Sequence, residues 1–430
     1  MSASGLSTTT PVLVAAAGAP WEAQALERLE RGGAHGVVLA KRCVDLTDLL
    51  STASAGLASA AVLSPSLPGL DADSVATLRR AGLGVVVVAA PEELLDGDTE
   101  RLRRLGVQHL LATTELASLV ATVAGAGAPQ EAAPDDPGEL FDQPAGRSAP
   151  GQVLAVWGPT GAPGRTTVAV GLATELARAG EDVSLLDVDP YGGAVAQHLG
   201  VLDEVSGVLA AARAANTGQL DALRLAGLAR QMGDGLRVLT GLPRPDRWQE
   251  VRSAAFADLL DQAARLSSYV VLDVGFSLES EPVDPFGSSA PQRNEMTLVS
   301  LERAEEVVVV GAADPVGLAR LARGLVELRE LLPGVRPRVV VNRTRPSLGW
   351  SNRELRGMVE GFVGPVDVHF LPDDRVTADR ALMAGQSVAE LGDSALLSAM
   401  TSMARGVLGD ADGTAPRRWR VRLRRAGRVR

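Results

Sequence analysis

The 430-residue sequence predicts an α/β protein made of two successive doubly wound parallel sheets, followed by a basic tail. Three observations carry that expectation. Short apolar runs alternate with helix-like stretches over residues 11–125 and again over 151–408. A Pro-, Ala-, Gly- and acid-rich segment, 126–150, separates the two series. The first apolar run of the second series ends in a Gly-rich turn, as parallel strands that meet ligands do. Buried runs alternating with amphipathic helices imply parallel strands joined by crossover helices, and this length suits two or three domains.

Composition narrows the chemistry. Apolar residues make up 46% of the chain and aromatics only 3%, so the cores must be built from Ala, Val and Leu. The net charge of −10 argues against general nucleic-acid affinity. Cys43 is the single cysteine, which excludes an internal disulfide and any multi-cysteine metal or cluster site within one chain. Its environment is expected to be a small buried apolar one. The N-terminus lacks a basic segment followed by an apolar core, and no apolar run approaches the ~18–20 residues that span a bilayer. A cytoplasmic location is expected.

In the first series, PVLVAAA, GVVLAKR, SAAVLSPS, LGVVVVAA and VQHLLATT each precede a helix-like stretch. Five such units over 11–125 resemble a flavodoxin-like or receiver-like domain. The third run ends in Ser64-Pro65 where a phosphorylated receiver has its aspartate. The first run ends in alanines rather than acids, and the fifth in Ala112-Thr113 rather than lysine. The resemblance is therefore to a degenerate receiver, expected to dock protein partners or to dimerise. The segment 126–150 has almost nothing to bury and reads as a flexible tether.

The second series opens on VLAVWGPTGAPGRTT, 153–167. An apolar strand, a turn rich in small residues and a helix start form the arrangement that holds phosphates: backbone N–H groups can approach the anion, and the helix N-terminus adds favourable partial charge. A threonine in the first helical turn can ligate Mg2+. Arg165 stands where a P-loop has lysine, and Lys41, the only lysine, lies far upstream. Further on, VSLLDVDP brings Asp187 and Asp189 to a strand end, and YVVLDVG brings Asp273 and then Gly275. Other strands are expected at 236–242, 306–314, 338–345 and 366–374. The leucine-bearing stretch 215–232 is expected to be helical and to pack on the sheet. The acidic, Pro- and Ser-rich segment 277–297 reads as a switch loop or a surface insertion.

The order of Gly-rich turn, DxDP, hhhDxG, VVVNR and LPDD resembles the ParA/MinD branch of P-loop NTPases. With a degenerate receiver in front, the chain is most similar to the CpaE/TadZ-like subgroup, which is associated with placing pilus-assembly or septum machinery. This resemblance implies ATP and Mg2+ as ligands and a homodimer as the working form. Gly161, Ala162, Pro163, Gly164, Arg165, Thr166 and Thr167 match the phosphate loop, with Thr160 where the family has a lysine that acts across the dimer. Asp189 falls where the family positions the attacking water. Thr166, Asp187 and Asp273 fall where Mg2+ is held, partly through water. Asn342 and Arg343 match the position that reads adenine, and Pro372 and Asp373 the loop that closes over the base. Arginine cannot act as a compact point charge between phosphates, so the resemblance with its departures implies nucleotide binding with weak or absent hydrolysis.

The last 14 residues, 417–430, hold eight arginines and no acid, on an otherwise strongly acidic chain. Trp419 with Arg420, Arg422, Arg424 and Arg425 suits an anionic membrane surface, ahead of docking on the chain's own acidic body and of nucleic acid. The function expected is that of an ATP-binding positioning protein. Its rivals are a slow membrane-cycling ATPase and a nucleotide-free scaffold with a fossil loop. A chromosome-partition ATPase is disfavoured by the acidic balance.

Overall fold

A computed structural model describes residues 9–127, 149–201, 205–233, 235–280 and 291–409. The tether 128–148, the middle of the segment 277–297 and the arginine tail with Trp419, Arg420, Arg422, Arg424 and Arg425 lie outside the described residues. The chain divides into two compact units.

The first unit is a five-stranded parallel sheet of β1 (Thr10–Ala15), β2 (Val37–Arg42), β3 (Ala60–Leu63), β4 (Gly84–Ala89) and β5 (His109–Ala112), in the order β2-β1-β3-β4-β5. This is the flavodoxin-like strand order. Five helices alternate with the strands: α1 (Glu22–Arg31), α2 (Leu46–Ser54), α3 (Ala72–Arg80), α4 (Asp96–Arg104) and α5 (Leu119–Ala126). Asp45 caps α2, and Asp71 with Ser74 forms a capping box on α3, so short polar side chains fix where these helices start. Val12, Val14, Val62, Val86 and Val88 fill one face of the sheet against Leu29, Leu119 and Val123. Each side chain of this size adds about 1.5–3 kcal/mol when fully buried. Ser64, beyond β3, is buried and shares a 2.8 Å hydroxyl contact with Ser66. Cys43 is buried, as expected, and burial pushes its thiol pKa up.

The second unit begins with β6 (Gln152–Trp157), α6 (Arg165–Arg178), β7 (Val183–Val188), α7 (Val195–His198), the start of α8 (Gly207–Asn216), whose residues from Arg213 on belong to the first unit, and α9 (Ala222–Leu228). It continues through β8 (Arg230–Gln231), β9 (Leu236–Leu239), α10 (Ser253–Leu266), β10 (Tyr269–Val274) and α11 (Glu295–Arg303). It closes with β11 (Glu306–Ala312), α12 (Pro315–Leu331), β12 (Arg338–Thr344), α13 (Asn352–Val363), β13 (Val368–Pro372), α14 (Arg375–Ala384) and α15 (Ala395–Leu408). The sheet order is β13-β12-β11-β6-β10-β7-β9-β8. All pairs are parallel except the edge pair β8–β9.

That edge pair corrects the sequence reading. Arg230 and Gln231 fall inside the stretch 215–232 expected to be helical, but α9 ends at Leu228 and β8 turns back along β9. Leu220 and Leu225 are buried while Leu223 is 84% exposed, so the leucines do not share one packed face.

Strand β6 sits at the centre, between β10 and β11. Its Leu154 and Val156 pack against Val168, Leu172 and Leu176 of α6 and Met400 and Met403 of α15. This core holds the turn after β6 beside the C-terminal ends of β10, β11 and β12, where ligands of open parallel sheets bind. No helix among the described residues is long and apolar enough to cross a membrane.

Candidate functional site

The turn after β6 is shaped by backbone that needs glycine. Gly161 and Gly164 have φ of +103° and +104°, in the left-handed region. A Cβ at 164 would overlap the amide nitrogen of Asn342, and one at 161 the guanidinium of Arg320. Ala162 also takes a positive φ, 51°, where alanine is strained. Gly164 caps α6 with no side chain, whereas Asp314, Asp374 and Ser394 cap α12, α14 and α15. Among the described residues, the backbone N–H groups of Gly161, Ala162 and Gly164 make no hydrogen bond. Pro163 has no N–H to offer. A helix start left open in this way is a cradle for an anion.

The first helical turn carries the polar groups. Thr166 donates its hydroxyl to Asp273 Oδ2 at 2.6 Å. Asp273 is 1% exposed at the end of β10, and burial pushes its carboxyl up to about 7, against the lowering effects of the Thr166 hydrogen bond and the Arg165 charge. A hydroxyl and a carboxylate oxygen at this spacing suit a hard divalent cation that keeps several waters. Among the described residues no group of three or more His, Cys, Asp or Glu is placed to hold a metal ion.

Arg165 turns back on the loop. Its Nη1 donates to the carbonyls of Gly158 and Pro159 at 3.3 and 3.4 Å, and its Nη2 pairs with Asp189 Oδ2 at 3.3 Å. Its Nε is buried without a partner among the described residues. Asp189 Oδ1 accepts from the Tyr191 backbone at 2.9 Å, so both carboxylate oxygens are engaged.

The remaining sequence-predicted residues take different positions. Asp187 is buried and accepts from Val195 N–H at 3.0 Å, the first residue of α7. Burial and the nearby Asp273 charge hold its carboxyl well above the usual range. No hydrogen bond joins Asp187 to Thr166 among the described residues. Asn342, at the end of β12, donates to the Pro163 carbonyl at 2.8 Å and accepts from Arg343 N–H at 2.8 Å. Its amide thus ties β12 to the loop and keeps one N–H and one oxygen lone pair uncommitted among the described residues. Arg343 has a φ of +61° and an exposed side chain. Pro372 ends β13, and Asp373 pairs with Arg345 at 3.5 Å and Arg375 at 3.6 Å. Thr167 follows Thr166 on α6 and is half-buried.

Sequence reasoning missed a second set of contacts. The segments after β7 and β10 are clasped together by Tyr191, whose hydroxyl donates to Asn294 Oδ1 at 2.7 Å. Asn294 in turn donates to Ser277 Oγ and the Glu279 carbonyl at 3.0 and 2.8 Å. Phe276 packs on Tyr191 with ring centroids 4.7 Å apart, and the Arg293 guanidinium lies 4.1 Å from the Tyr191 ring centre. Trp157, buried at the end of β6, donates to the Phe276 carbonyl at 3.2 Å. The sequence signal was only a Tyr and a Phe just beyond two acidic strand ends.

Among solved structures, a ParA family ATPase from Chlorobium tepidum TLS matches 59% of this chain and 98% of its own, with 19% identity and a TM-score of 0.50. This part of the chain carries the fold of a ParA-family ATPase. Other ParA/MinD-type matches are MinD of Aquifex aeolicus (15% identity, 62% of this chain and all of that one, TM-score 0.46) and an ATP complex of a Cyanothece McdA variant (16%, 62% and all, 0.47). No protein-family model matches the sequence, and no curated protein does.

Proposed function

We propose that this chain is an ATP-binding positioning protein of the ParA/MinD type that works as a homodimer and hydrolyses ATP weakly or not at all. The observation that carries the reading is the uncapped start of α6, with free loop N–H groups beside the Thr166–Asp273 pair. The loop N–H groups hold phosphate oxygens, while Arg165 stays paired with Asp189. Thr166 and Asp273 hold Mg2+, Asp273 through water. Bound Mg2+ neutralises phosphate charge and orients the phosphates. Pro372 and Asp373 flank the base beside Asn342 and Arg343. Asp187, already occupied by Val195 N–H, orders the loop before α7 rather than the metal.

The weak turnover follows from Arg165 and Asp189, since the pair withholds both the cation and the acid suited to positioning water. The first unit, with its flavodoxin-like strand order and Ser64 in place of an acid, acts as a degenerate receiver that docks protein partners. The arginine tail binds an anionic membrane surface from the cytoplasmic side, and nucleotide occupancy biases dimerisation or tail exposure. A role in septum-site or pilus-assembly placement, as in the CpaE/TadZ-like subgroup, fits that design. The test is phosphate release with Mg2+, alone and with anionic vesicles. A rate at or barely above the no-enzyme background is expected. Turnover at ordinary ATPase rates, roughly 1 s⁻¹ or more, would contradict the account of Arg165 and Asp189.

A further inference from the structure

Beside the loop lies a small cavity of about 60 Å³, open to solvent and lined by Pro159, Thr160, Gly161, Asp314, Arg320 and Arg343 among others. Arg320, on α12, lies so close to Gly161 that any Cβ there would overlap its Nη1. Among the described residues neither guanidinium has a hydrogen-bond or ion-pair partner, although Arg320 is half-buried. The one carboxylate in the cavity, Asp314, is committed: its Oδ1 accepts from Val316 and Gly317 N–H at 3.1 and 3.0 Å. Two unpaired cations, one hydroxyl (Thr160) and one occupied acid leave a net positive cavity along the flank of a phosphate cradle. An unpaired, partly desolvated guanidinium gains most from a multiply charged oxyanion, to which it donates through several N–H groups.

We propose that this cavity is an anion subsite and that Arg320 contacts the terminal phosphate of a nucleoside triphosphate held at the loop. This rests on the loop being a nucleotide site and extends it. The loop N–H groups serve any phosphate, while Arg320 makes the site prefer triphosphate to diphosphate. The residue is a binding group, supplied by a helix outside the phosphate-loop motif.

The test is equilibrium titration of the full chain with a non-hydrolysable ATP analogue and with ADP, both with Mg2+, on wild type, Arg320→Gln and Arg320→Lys. Charge-assisted hydrogen bonds of this kind imply that Arg320→Gln loses about tenfold or more in triphosphate affinity while ADP affinity shifts by less than about twofold. Arg320→Lys should recover part of the loss, which a misfolded variant would not do. Added inorganic phosphate should compete with the triphosphate only weakly. A wild type that binds both nucleotides while Arg320→Gln keeps the same triphosphate-to-diphosphate ratio overturns this inference alone. A wild type that binds neither nucleotide overturns the nucleotide reading and this inference together.

Discussion

The guanidinium of Arg165 and the carboxylate of Asp189 lie 3.3 Å apart, with side chains only 14% and 11% exposed. The cation of the loop and the acid at the end of β7 therefore satisfy each other. A pair this sheltered is costly to break from one side, because the survivor is left charged and poorly solvated. Arg165→Ala should lower unfolding free energy by about 1–3 kcal/mol, the cost of leaving a sheltered hydrogen-bonding group without its partner, measured by urea denaturation. Asp189→Asn should cost less and should free Arg165 to meet phosphates, so nucleotide affinity should rise rather than fall. Affinity lost in Asp189→Asn would show that the pair is part of the binding-competent state.

Asp273 gives the site a pH dependence. Burial pushes its carboxyl up to about 7 in the folded chain, while the unfolded value is about 4. Between those values the folded chain holds a proton that the unfolded chain does not, so stability falls as pH rises through the window. Asp187 is shifted in the same direction and adds to the slope. Asp273→Asn should therefore be more stable than wild type at pH 8, by about 1–3 kcal/mol, and about equal to it near pH 4.5. Urea unfolding at both pH values checks this, and an equal gap at both would contradict it. The same variant should lose Mg2+-dependent nucleotide binding.

The Tyr191–Asn294 hydrogen bond clasps the segment after β7 to the one after β10. Tyr191→Phe keeps the ring on Phe276 and under Arg293 but removes the hydroxyl. The expected cost is about 1 kcal/mol of stability, with faster amide exchange confined to residues around 189–194 and 275–280. Exchange unchanged in both segments would show that the aromatic packing alone holds them.

Much of this site was legible because it is local. Asp273 and Gly275 close an apolar strand, and Gly161, Gly164 and Thr166 follow another; spacing along the chain puts them where parallel strands end. The five alternations of the first unit were legible for the same reason, since a buried run and an amphipathic stretch declare themselves without knowledge of their neighbours. What stayed hidden depends on distant partners. Nothing in the sequence joins Arg165 to Asp189, 24 residues on, or Asn342 to Pro163, 179 residues back. Arg320 sits on a helix whose polar face reads as ordinary solvated surface, and only the folded chain, through the overlap at Gly161 and the shared cavity, shows that it faces the loop. The edge strand β8 was missed because two residues carry no periodicity, and its register is set by β9.

The central claim is that the open start of α6 holds the phosphates of a nucleotide with Mg2+ at Thr166 and Asp273. Its most direct test is titration of the purified chain with a fluorescent ATP analogue, with Mg2+ and with chelator, alongside Thr166→Ala. The account predicts saturable binding that weakens by about tenfold or more on chelation or in the variant. A flat signal in the presence of Mg2+, or saturable binding indifferent to both Mg2+ and Thr166, would contradict it.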